Sequence, residues 1–74
     1  MNLQVMSEIV FEVTNESNGG YDAESDSENL SAHGDDWDDL CANVKKTVVE
    51  YFHEGPRPQS IRLHHIREEV LQLL

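Results

Sequence analysis

Near its start the chain alternates. Ile9, Phe11 and Val13 fall on one side, with Glu8 and Glu12 on the other. That is the two-residue period of a half-buried strand, and it predicts a strand over Ser7 to Thr14. Val10 falls on the polar side, so that side is not given wholly to water. Asn15-Glu16-Ser17-Asn18-Gly19-Gly20 reads as a turn in which the glycines take positive φ without steric cost. Tyr21, Ala23 and Ser25 then alternate with Asp22, Glu24 and Asp26 as a second strand. Ser27-Glu28-Asn29 turns the chain again, and Leu30 to His33 makes a short third strand. Between Asp36 and Phe52 the period changes. Trp37, Leu40, Cys41, Val44, Val48, Tyr51 and Phe52 share a stripe roughly 120° wide, the mark of a helix with one face on a core. Asp39, Asn43, Lys46, Glu50 and His53 occupy the opposite face. Asp35 or Asp36 can cap this helix, Asp38 and Asp39 suit its positive end, and Gly55-Pro56 marks its stop. After Pro58, Ile61 and Leu63 alternate with Arg62 and His64, which predicts a fourth strand from Ser60 to Ile66. Residues 67–74 form a tail, helix or strand extension, whose apolar side chains need cover.

The predicted architecture is α+β in the order β-β-β-α-β, an antiparallel sheet covered by one main helix. It is a single domain spanning 1–74, with its core over about 7–66. At 74 residues and 38% apolar content the core must be lean, because a domain near 60 residues buries only about 60% of its unfolded surface. Ile, Leu, Val and Phe still supply 19 positions, enough for a folded domain rather than a disordered chain. The pattern shows no internal repeat and no low-complexity tract.

Charge bears on the choice of partner. The net charge is −10, which argues against direct binding to nucleic acid or an anionic membrane, since phosphate affinity rests on Lys and Arg. Residues 1–44 hold 11 acids and neither Lys nor Arg, whereas residues 45–74 hold all five basic residues and four acids. Such asymmetry implies one strongly negative face that would steer a basic partner; a large net charge also serves solubility. One cysteine excludes an intramolecular disulfide and a Cys-rich zinc site. No signal-peptide pattern and no apolar run of about 18 residues is present, so a cytoplasmic protein without a membrane anchor is expected.

Candidate chemistry is sparse. Asp22, Glu24, Asp35 and Asp36 are close enough in sequence to suggest a carboxylate metal site for a nuclease. Alternation instead sends Asp22 and Glu24 to an outer strand face, and Asp35 and Asp36 serve better as caps. His64 and His65, adjacent on a strand, point to opposite faces and cannot chelate together. His33 and His53 belong to different elements. Cys41 lies inside the helical stripe and reads as a core residue, and Trp37 reads as a lid at the end of that stripe. Gly19-Gly20 is not followed by a helix and forms no phosphate loop. No catalytic set, cofactor site or metal site is expected.

With that order in place, the residues resemble a known family. Gly19-Gly20-Tyr21-x-Ala23-Glu24, then His33-Gly34-Asp35, then Asp39-Leu40-x-x-Asn43-Val44 and a helix closing at Tyr51-Phe52 look like the HicB-like antitoxin domain. The resemblance covers about residues 8–66. It implies a truncated RNase H-like fold without the nuclease site, and a non-enzymatic protein that neutralises a small basic HicA-like toxin. The family usually carries a C-terminal DNA-binding segment; none follows here, so operator binding is not expected and the chain looks like a stand-alone HicB N-terminal domain. The acids Asp22, Glu24, Asp26 and Glu28 are the expected contact surface. Two other readings compete: an orphan module that self-associates as a dimer or tetramer, and a residual RNase H-like nuclease, which the lack of a basic groove disfavours.

Overall fold

A computed structural model describes residues 8–54, 56–67 and 71–73 of the chain. Among these, the elements follow as β1 (Glu8–Asn15), β2 (Tyr21–Ser25), β3 (Ser31–Gly34), α1 (Trp37–Tyr51) and β4 (Ser60–His65). The expected β-β-β-α-β order is present, with boundaries moved by a residue or so. Ser7, assigned to the first strand by its pattern, lies outside the described residues. The third strand starts one residue late because Leu30 belongs to the preceding turn, where its amide is bound by the Glu28 carbonyl and Ser25 Oγ.

The strands form one sheet in the order β3-β2-β1-β4. It is mixed rather than antiparallel, and the direction of β4 is the correction. β1 pairs antiparallel with β2 and β2 antiparallel with β3, but β4 runs parallel to β1. The connection explains it. Two reversals leave β3 pointing the same way as β1, and a helical crossover returns the chain to the sheet in the direction it left. β4 therefore arrives parallel, on the far side of β1.

Alternation now has physical content. Ile9, Phe11 and Val13 of β1, Ala23 of β2, and Leu40, Val44 and Val48 of α1 are the buried hydrophobic residues among those described. Full burial of each large aliphatic or aromatic side chain contributes about 1.5–3 kcal/mol. Tyr21, Leu30, Ala32, Phe52, Ile61 and Leu63 pack around this cluster. Cys41 is half-buried rather than a full core member. Tyr51, placed in the apolar stripe by its spacing, is half-exposed and rests edge-on against Phe52.

Both ends of α1 are set locally. Asp36 is the N-cap: its Oδ1 accepts from the Asp39 amide at 2.8 Å, and Asp39 Oδ2 accepts in turn from the Asp35 amide at 3.2 Å. The helix closes at Phe52, ahead of the expected Gly55-Pro56 stop; Gly55 lies outside the described residues. The His53 ring donates to the Glu50 carbonyl at 3.0 Å, using one of the last turn's unpaired acceptors. Against the sheet, α1 comes closest to β3. Gly34 permits that approach, since a Cβ there would stand 2.8 Å from Leu40 Cβ. Asn43, assigned to the solvent face, instead donates its side-chain amide to the His33 carbonyl at 2.6 Å and ties α1 to the end of β3.

Candidate protein-binding surface

The sheet has a helix on one face only, among the described residues. Register assigns the other face residue by residue. Glu8, Val10, Glu12 and Thr14 of β1 share it with Asp22 and Glu24 of β2, Ser31 and His33 of β3, and Arg62 and His64 of β4. Four carboxylates thus lie on one surface with a single fixed cation among the described strands. Glu12 and Glu24 are direct partners across β1 and β2, and like charges placed opposite one another oppose pairing. An open depression of about 490 Å³ lies over β2 and β3, bordered by Asp22, Glu24, Ser31 and His33.

Several of these acids have local partners. Arg62 donates to both oxygens of Glu8, Nε to Oε2 at 2.8 Å and Nη2 to Oε1 at 3.1 Å. That hydrogen bonding holds the Glu8 carboxyl below its usual range and raises the guanidinium in return. His64 Nδ1 lies 3.2 Å from Glu12 Oε1. His33 donates from Nδ1 to Asp22 Oδ1 at 2.8 Å, and its Nε2 is 3.6 Å from Asp35 Oδ1. The hydrogen bond to Asp22 holds the His33 imidazole above its ordinary value; the charges of Asp22 and Asp35 add to this and desolvation opposes it. All of these pairs are at the surface, where solvent screens them, so they shape the charge pattern more than they stabilise the fold. Glu24 has no ion-pair partner among the described residues.

The expected contact residues separate into two groups. Asp22 and Glu24 lie together on the open face. Asp26 and Glu28 lie beyond the strand, in the turn from β2 to β3, where the Asp26 amide donates to the Val10 carbonyl at 3.2 Å. Glu8 and Glu12 join the open face and extend it beyond the expected set. The signal for them is in the sequence, since both alternate against Ile9 and Phe11, but joining them to β2 takes the strand register.

The histidines do not converge. His64 faces Glu12 on the open side, while His65 turns to the helix side, donating from Nε2 to Asn15 Oδ1 at 2.8 Å. There its ring lies 5.6 Å from Tyr21 and 5.2 Å from Trp37, the first residue of α1, which is partly exposed rather than a lid on the core. Tyr21 and Trp37 meet edge to face at 5.3 Å, so the three rings fill the space between them. Among the described residues no group of three His, Cys, Asp or Glu side chains could hold a metal ion. No helix among them is long and apolar enough to cross a membrane.

Comparison of the chain with protein-family models, curated proteins and solved structures gives no match.

Proposed function

We propose that this chain is a non-enzymatic, HicB-like antitoxin-type protein whose acidic sheet face binds and neutralises a small basic partner of the HicA-like toxin class. The observation that carries the reading is the uncovered face itself. Glu8, Glu12, Asp22 and Glu24 share it with Arg62 as the one fixed cation among the described strands, and Glu12 opposes Glu24 directly. Lys or Arg side chains laid across that face would relieve the opposition between the two glutamates. Long-range attraction would also speed their arrival. The Gly19-Gly20-Tyr21-x-Ala23-Glu24 and His33-Gly34-Asp35 segments, in the order the HicB-like domain uses, support the same reading.

The test compares the wild-type protein with the double charge reversal Asp22→Lys/Glu24→Lys. Each tagged protein is used to capture partners from the source cells, with washes at low and then high salt. The wild type retains a small basic protein that high salt removes; the variant loses it, with an association rate at least about tenfold lower at low salt. Circular dichroism checks that the variant remains folded. Equal capture by both proteins would remove the face from the account.

A further inference from the structure

The helix side of the sheet is not evenly filled. α1 is drawn toward β3 at Gly34, and on the opposite flank a cleft opens between α1 and β4. Its first part, about 150 Å³, is lined by Cys41, Val44, Lys45, Ile61 and Leu63. A second part of about 370 Å³ shares Lys45 and Ile61 and continues past Val49 to Arg57 and Pro58. Val49, on its rim, is 47% exposed. The cleft is apolar at its base and carries two of the chain's five basic residues at its edge.

The same chain holds a segment of matching chemistry. Ile66, Leu71 and Leu73 are 61%, 81% and 94% exposed, so they do not occupy the cleft of their own chain. The sequence between them, Arg67-Glu68-Glu69-Val70, carries a net charge of −1, opposite in sign to Lys45 and Arg57. On the open sheet face, where Glu12 and Glu24 stand opposite one another, that segment would meet like charge. At this cleft it meets positive charge and uncovered aliphatic surface together.

We propose that the cleft between α1 and β4 receives the segment around Ile66, Leu71 and Leu73 of a second copy, and that the exchange is reciprocal about a two-fold axis. The dimer so formed leaves both acidic sheet faces outward, since the cleft lies on the helix side. This assignment does not depend on the identity of the basic partner.

Cys41 provides the reporter, because it lines the cleft and is the chain's one cysteine. In the Leu73→Cys variant, mild oxidation joins the introduced thiol to Cys41 of the other chain. The bond is seen as a doubled mass on a non-reducing gel and identified by peptide mapping. Sedimentation of the wild type at tens of micromolar gives a dimer. Leu71→Asp/Leu73→Asp gives a monomer with unchanged circular dichroism, as those side chains support no core of their own. A disulfide from the introduced thiol to Cys41 within one chain, a wild-type monomer, or a dimer that survives the double aspartate substitution would each overturn the proposal.

Discussion

Replacing Gly34 by Ala tests the way this fold is held together. The added Cβ would stand 2.8 Å from Leu40 Cβ and closer still to the Leu40 amide nitrogen and Cα. Carbon atoms rest at about 3.5–4.0 Å, so the first turn of α1 or the end of β3 must move by about 1 Å. Neither is free to do so. The Leu40 amide is bonded to the Asp36 carbonyl at 2.9 Å, and the Asn43 side chain holds the His33 carbonyl at 2.6 Å. Overpacking costs about 1–3 kcal/mol, and weakening one of these hydrogen bonds adds about 1 kcal/mol. The expected loss is therefore about 2–4 kcal/mol, against about 4–11 kcal/mol for the whole of a domain this size. At about 4–8 °C per kcal/mol, Tm falls by at least about 8 °C. Gly19→Ala is the control: a Cβ there meets nothing within 4 Å, but φ is +99°, so the cost is backbone strain of about 1–2 kcal/mol. Thermal unfolding followed at 222 nm, with urea titration for the free energies, reads both. If Gly34→Ala melts within about 4 °C of wild type, or costs less than Gly19→Ala, the close packing of β3 on α1 is wrong.

Other outcomes follow from the same geometry. Asp36→Ala removes the acceptor for the Asp39 amide and lowers stability by about 1 kcal/mol, read by urea titration; Asp38→Ala, which caps nothing, changes it far less. His33 titrates above its ordinary value by NMR, and Asp22→Asn lowers that value toward the usual one. Because the folded state raises the His33 value, its contribution to stability is complete below about pH 6.5 and fades as pH rises through the folded value. Leu73→Cys forms its disulfide with Cys41 of a second chain, and a non-reducing gel reads the doubled mass.

Much of this molecule is legible in its sequence, for physical reasons that differ from element to element. β1 is plain because Ile9, Phe11 and Val13 are all buried, leaving the two-residue period unbroken. α1 is plain because Leu40, Val44 and Val48 form its buried line and Asp36 does what its chemistry suits it for. The opposed rings of His64 and His65 follow from strand alternation alone. What the pattern does not carry is anything set between elements. The direction of β4 depends on the crossover, and hydrophobic spacing is the same in a parallel and an antiparallel strand. Asn43 looks like a solvent residue by its helical angle, yet α1 lies against β3 and Asn43 reaches the His33 carbonyl. The acidic face shows the same limit. Asp22 and Glu24 are visible as a pair, but the contact with Glu12 depends on register, and only pairing fixes that.

On the reading proposed above, the open sheet face binds a basic protein through charge. That reading is met most directly by measuring association rate against ionic strength, using the protein captured from the source cells with wild type and with Asp22→Lys/Glu24→Lys. The expected result is a steep fall in the wild-type rate with added salt and a slow, nearly salt-independent rate for the variant. Equal rates for the two proteins at every ionic strength would contradict it, as would capture of nothing but further copies of the chain.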